Sequence, residues 1–158
     1  MQHHTILAID PGASGGLAWG LGTAASPATA NMPADPNLLY GLLEDISLSS
    51  ISPIHAFVEK VGGFIGKEQP ASRAFTFGAN YGAILGVLAA MEIPTTLVLP
   101  QIWQKSLSLG NSTAHAKGKW KSYLATCARR LYPKTKVTLA NADAVLIFHA
   151  AATGRIKP

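Results

Sequence analysis

The chain has one cysteine, Cys127, among 158 residues, so it can build neither an internal disulfide nor a multi-cysteine zinc site. Charge is scarce: Asp, Glu, Lys and Arg make up 13%, against about 25% in an average soluble domain. Long apolar runs are missing as well. No window approaches the roughly 20 apolar residues that a transmembrane helix needs. The N-terminal stretch lacks the basic leader, apolar block and cleavage site of a secretory signal. These absences predict a protein of the reducing cytoplasm, without a membrane span. What is present excludes disorder, because 48% hydrophobic residues are ample for collapse and a net charge of +5 opposes it little. One domain with a real core is expected at this length, and no repeat or linker divides it.

Acidic residues are the second scarcity. There are eight, and residues 93–142 contain none, against the eight bases Lys105, Lys117, Lys119, Lys121, Arg129, Arg130, Lys134 and Lys136. Residues 1–92 are net −4 and residues 143–158 net +1. A stretch carrying positive charge alone suits a polyanion, since Lys and Arg displace the counterions of phosphates. It equally suits a solvated basic face.

Periodicity and punctuation divide the chain into elements. Residues 4–9 read as a buried strand ending at Asp10, residues 11–16 as a tight turn, and residues 16–21 as the return strand of a hairpin. Residues 27–32 make a weaker third strand. Leu38, Leu39, Leu42, Leu43 and Ile46 have helical spacing over residues 37–46, with Asp35 or Asn37 as N-cap. Residues 54–61 are a further strand with Glu59 near its end. The glycine-containing residues 62–71 read as a mobile loop. A helix follows over residues 72–91, with Phe75 or Phe77, Tyr81, Ile84, Leu85 and Leu88 on its apolar stripe. Residues 95–99 form the fifth strand, 100–107 a short helix, and 110–116 a polar loop. Residues 117–132 are a basic helix stopped by Pro133, and residues 140–152 a last helix stopped by Gly154. This order predicts an α/β fold: a five-stranded mixed sheet flanked by helices on both faces.

Three of the acids stand in apolar surroundings. Asp10 ends Thr5-Ile6-Leu7-Ala8-Ile9, Glu59 follows His55-Ala56-Phe57-Val58, and Asp143 precedes Val145-Leu146-Ile147-Phe148. A carboxylate so placed costs several kcal/mol unless a cation or metal compensates it. Each has an ordinary explanation: Asp10 caps the Pro-Gly turn, Glu59 pairs with Lys60, and Asp143 sits at a helix N-terminus. Together they suggest more, because the first and fourth strands lie side by side in such a sheet and a helix end can bring in the third acid. Three hard oxygen donors without a Cys/His cluster suit Mg²⁺ or Mn²⁺, the ions of phosphodiester hydrolysis.

Ile9-Asp10-Pro11-Gly12-Ala13-Ser14-Gly15-Gly16, Val58-Glu59-Lys60-Val61 and Ala142-Asp143-Ala144-Val145-Leu146-Ile147 resemble the RuvC-like Holliday junction resolvases of the RNase H-like superfamily, above all their phage and prophage versions. Supporting segments are Phe75-Thr76-Phe77-Gly78, Tyr81-Gly82 with Leu85-Gly86, Pro100-Gln101-Ile102-Trp103-Gln104-Lys105 and Ala128-Arg129-Arg130-Leu131-Tyr132-Pro133. The resemblance spans about residues 5–150. It implies an RNase H-like fold and a homodimeric endonuclease that makes paired nicks in four-way DNA junctions. It also implies Asp10, Glu59 and Asp143 as catalytic metal ligands, with two Mg²⁺ or Mn²⁺ ions per site. Bacterial members carry a fourth ligand three residues before the last Asp; here that residue is Ala140. Asn141 and Thr138 are poorer ligands, which leaves His115, Lys117 or a water to fill the gap.

The resemblance further implies an aromatic near Phe75 and Phe77 that stacks on bases at the opened junction, while one of the pair packs in the core. Gly82 and Gly86 allow either a dimer interface or close packing of the helix on its own sheet. Lys119, Lys121, Arg129 and Arg130, with Lys105 and Lys117, are the candidate phosphate contacts. Trp103 and Trp120 interleave with bases but read more readily as core. His149 reads as a satisfied core histidine and Cys127 as buried. Two other functions stay open: a non-catalytic nucleic-acid-binding module of the same fold, motivated by Ala140, and an RNase H-like enzyme acting on structured RNA. A two-lobed kinase or actin-like ATPase is excluded by length.

Overall fold

The computed structural model describes residues 4–62 and 70–158; the loop expected over residues 62–71 lies almost wholly outside them. Five strands, β1 (Thr5–Asp10), β2 (Gly16–Leu21), β3 (Ala28–Asn31), β4 (Ile54–Glu59) and β5 (Thr95–Val98), form one sheet in the order β3-β2-β1-β4-β5. The hairpin partners β1 and β2 are antiparallel, as are β2 and β3, whereas β1–β4 and β4–β5 are parallel. Parallel neighbours need crossovers, and these are supplied by α1 (Pro36–Ser49) and α2 (Ala71–Ala90). Then come α3 (Pro100–Ser106), a 3₁₀ turn (Ser112–Ala114), α4 (Trp120–Leu131) and α5 (Ala142–Ala152). The predicted mixed sheet with helices on both faces is what the chain forms.

Strand alternation splits the core in two. Leu7, Ile9, Leu17, Ala56 and Val58 face α1 and α2, where they meet Leu39, Leu43, Ile46, Ile84 and Leu88. Ile6, Ala8, Ala18, Phe57 and Val98 face α3, α4 and α5, meeting Trp103, Leu124, Ala128, Val145 and Phe148. Asp10 continues the parity of Ile6 and Ala8, and Glu59 that of Phe57. Both acids therefore belong to the α3–α5 side.

Helix ends follow local chemistry. Asp35 caps α1, accepting from the backbone N–H of Asn37 at 2.8 Å and Leu38 at 3.0 Å, with Pro36 in the first turn. At the other end of the chain Gly154, at φ +69°, closes α5 in a Schellman turn. There the Arg155 N–H reaches the Ala150 carbonyl and the Gly154 N–H that of Ala151. The basic helix is shorter than its composition predicts. It starts at Trp120, because Gly118 at φ +79° turns the backbone left-handed and cuts Lys117 off from the helix. α5 likewise starts at Ala142, two residues later than expected, because residues 136–141 are bound into a side-chain bracket described below.

Two close approaches depend on glycine. A Cβ at Gly15 would collide with the Asp10 carbonyl oxygen, and one at Gly16 would lie 2.6 Å from the Ala30 carbonyl and 3.0 Å from the Asn141 Cβ. The start of β2 thus rests directly on the residue that opens α5. By contrast, Gly78, Gly82 and Gly86 on α2 meet nothing within 4 Å; this face does not pack on its own sheet. Gly16→Ala is expected to destabilise the fold by about 2–4 kcal/mol in urea unfolding, while Gly41→Ala on α1, where a Cβ also meets nothing within 4 Å, stays neutral or gains up to ~1 kcal/mol. Equal stability of the two variants would mean that α5 can retreat from β2 without cost.

Candidate active site

Parallel pairing of β1 with β4 runs from Thr5 beside Ile54 to Ile9 beside Val58, so the next residues, Asp10 and Glu59, come out side by side at the strand ends. α5 packs across β1, β2 and β4 and carries Asp143 in its first turn. The helix is buried on nearly every side: Ala142, Ala144 to Phe148 and Ala150 are inaccessible. Its alanines let it lie close on the sheet, and this fixes Asp143 above the strand ends.

The acids repel one another there. Burial raises the Asp10 carboxyl, opposed by a hydrogen bond from the Gly12 N–H at 3.3 Å and by Lys121. Burial pushes Glu59 up to about 7, with the Asp10 and Asp143 charges adding, and the Trp103 hydrogen bond and Lys121 opposing. Asp143 is pushed up to about 6 by burial and by Asp10, again opposed by Lys121. Its Oδ1 is buried without a hydrogen-bond partner among the described residues. Hard oxygen donors, shared uncompensated charge and an orphaned carboxylate oxygen fit a hard divalent cation in charge and donor type. The side chains have not closed into a coordination shell, since among the described residues no three His, Cys, Asp or Glu are grouped to hold an ion.

The ordinary explanations of the acids hold only in part. Asp10 does accept from the turn at Gly12, and Asp143 does lie in a first helical turn. Glu59, however, is bonded to Trp103, whose indole N–H donates to Oε2 at 2.8 Å. Trp103 is fully buried, and no sequence signal marks this bond, which spans 44 positions. The substitutes for a fourth ligand are engaged elsewhere. Asn141 Oδ1 accepts from the Thr138 N–H at 2.8 Å, its Nδ2 donates to the Lys136 carbonyl at 3.0 Å, and Thr138 Oγ1 accepts from the Ala140 and Asn141 N–H groups. This is the bracket that delays α5. His115 packs at tilted angles against Tyr123 and Trp120, with ring centroids 4.5 and 5.1 Å away. Lys121, not Lys117, is the lysine whose charge reaches all three acids.

The remaining candidates are on the surface. Lys105, Lys117, Lys119, Lys121, Arg129 and Arg130 are all exposed, with the Arg129 guanidinium donating to the Val137 carbonyl. Phe75 is 79% exposed, and Phe77 is half-buried. Cys127 is half-buried rather than inaccessible. His149 Nδ1 and the Tyr132 hydroxyl lie 3.0 Å apart, as a satisfied histidine requires. No described helix is long and apolar enough to cross a membrane.

The raised carboxyl values have a consequence for stability. Between about pH 4.5 and 7 the folded chain holds protons that unfolded Glu and Asp have released, so the stability these groups contribute is greatest at the acid end and lost as pH rises through the folded values. His55 and His149, whose imidazoles burial holds below their usual value, act in the opposite sense. Comparison with Glu59→Gln isolates the carboxylate effect. In metal-free urea unfolding, the wild type is expected to lose about 1–3 kcal/mol relative to Glu59→Gln between about pH 5 and pH 8. Parallel pH profiles would show that Glu59 feels no such field.

No family model and no curated protein matches the sequence. Solved structures do match. Thermus thermophilus RuvC in complex with Holliday junction substrate superposes with a TM-score of 0.60 over 99% of each chain at 19% identity. A second T. thermophilus RuvC structure gives 0.54 over 92% of this chain and 93% of the other at 18% identity. The chain therefore has the fold of RuvC, within the RNase H-like α/β class.

Proposed function

We propose that the chain is a metal-dependent, structure-selective DNA endonuclease that resolves four-way junctions by paired phosphodiester hydrolysis. The observation that carries this reading is that the ends of β1 and β4 and the first turn of α5 bring Asp10, Glu59 and Asp143 within electrostatic reach of one another and of Lys121, which belongs to a stretch of sequence whose charges are all basic. Asp10, Glu59 and Asp143 would hold Mg²⁺ or Mn²⁺ as ionised ligands. When bound, such ions supply Lewis acidity toward an attacking water and a leaving oxygen.

The chain's own groups do the rest. Lys121 offers its ammonium to the scissile phosphate, drawing the anion toward carboxylates that would otherwise repel it. Lys105, Lys117, Lys119, Arg129 and Arg130 bind the flanking backbone through phosphate charge. Phe75 presents an open aromatic face for stacking on an unpaired base, worth roughly 1–3 kcal/mol. Pairing of α2 with its copy along Gly78, Gly82 and Gly86, whose faces are open, would make a homodimer with two sites facing a two-fold junction.

A second reading, a junction-binding module without nuclease activity, is favoured by two observations: the acids form no closed ligand group among the described residues, and Ala140 offers no donor. Nicking assays with Mg²⁺ or Mn²⁺ on a four-way DNA junction, linear duplex and structured RNA at matched salt separate the readings. The expected result is paired nicking of the junction, lost by at least about 10³-fold in Asp10→Asn and Asp143→Asn while binding is kept or tightened. Intact binding without cleavage under any divalent ion favours the module, and preferential cleavage of RNA an RNA-processing enzyme. Neutralising Lys119 and Lys121 together is expected to weaken binding to all junction sequences alike and to lower the salt slope by about 2. An unchanged slope places the phosphate track elsewhere.

A further inference from the structure

We propose that Trp103 is a positioning residue that reserves one oxygen of Glu59 and so biases the site toward Mg²⁺ and Mn²⁺ over Ca²⁺. The inference rests on the metal-dependent reading above. It starts from a buried donor. The Trp103 indole is inaccessible, wedged in the core cluster with Phe57, Val98 and Val145, and a buried indole N–H requires an acceptor. Its acceptor is Glu59 Oε2 at 2.8 Å, which makes the position of that carboxylate a consequence of core packing.

The choice of donor matters. A Lys or Arg in the same place would neutralise Glu59 and repel an incoming cation. An indole N–H carries no net charge, cannot accept a hydrogen bond and does not ionise. It orients the carboxylate while leaving its negative charge available. With one lone pair of Oε2 taken by the indole N–H, Oε1 is the less encumbered oxygen toward a cation, which favours coordination of Glu59 through one oxygen. Mg²⁺ demands a tight octahedral shell that single-oxygen carboxylates satisfy, whereas Ca²⁺ takes six to eight ligands and readily accepts both oxygens of one carboxylate. Freeing Oε2 would therefore help Ca²⁺ more than Mg²⁺ or Mn²⁺. The bond also ties α3, which carries Lys105, to the end of β4, so the same contact sets where part of the basic surface begins.

The test is ion binding by the full chain without DNA. Trp103→Phe keeps an aromatic ring in the core and removes the N–H; a chain with 3-benzothienylalanine at position 103 keeps the bicyclic shape and replaces the N–H by sulfur. Mn²⁺ and Ca²⁺ affinities are measured by calorimetric titration, and the indole ¹⁵N–¹H resonances of the wild type are followed on adding Mg²⁺. Both variants are expected to lose about 10-fold in Mn²⁺ affinity with a smaller loss for Ca²⁺, so the Mn²⁺:Ca²⁺ preference drops several-fold. The Trp103 resonance is expected to shift on Mg²⁺ saturation while those of Trp19 and Trp120 stay. If Trp103→Phe fails to fold, the benzothienyl chain decides. An unchanged ion preference in a folded variant, or an unmoved Trp103 resonance, overturns this proposal and leaves the metal-dependent reading standing. A wild type that binds no divalent ion overturns both.

Discussion

Three like charges held out of water at one end of a sheet are the constraint around which the rest of this molecule is arranged. Each carboxylate pays desolvation, and the Asp10 charge raises the ionisation cost of both Glu59 and Asp143. The offsets are small and specific: a backbone N–H from Gly12, an indole N–H from Trp103, and the Lys121 ammonium. None of them cancels the shared charge, and Asp143 Oδ1 has no hydrogen-bond partner among the described residues. A fold that keeps such an arrangement needs rigid supports. Here they are the parallel register of β1 and β4, and the contact of Gly16 with Asn141 that holds α5 against the hairpin.

Charge is segregated on a larger scale. The acids at the sheet end come from β1, β4 and α5, while every charged residue of α4 and the loop before it is basic. Lys121 belongs to both regions, being in the first turn of α4 and within electrostatic reach of every acid. The open glycine face of α2 and the exposed Phe75 lie on a different element.

The elements were legible because their signals are local. Short apolar runs in residues 5–9 and 54–58, helical spacing in residues 38–46 and the stops at Pro133 and Gly154 need no knowledge of distant residues. The errors were local too. Gly118 adopts a left-handed backbone, which removes Lys117 from the helix, and a composition of bases could not reveal that. Asn141 was weighed as a ligand because of its place in the chain, yet both ends of its amide are taken by backbone groups.

By itself the sequence determined the strand and helix order, the three acids isolated in apolar segments, and the concentration of eight of the thirteen bases in one stretch without acids. Hydrophobic periodicity and charge counting depend only on neighbours along the chain. Tertiary structure alone decided that Glu59 bonds Trp103 instead of Lys60, that Lys121 is the lysine beside the acids, and which face of α2 stays open. Those outcomes depend on distances between residues tens of positions apart, set by strand register and helix packing. No local pattern encodes them.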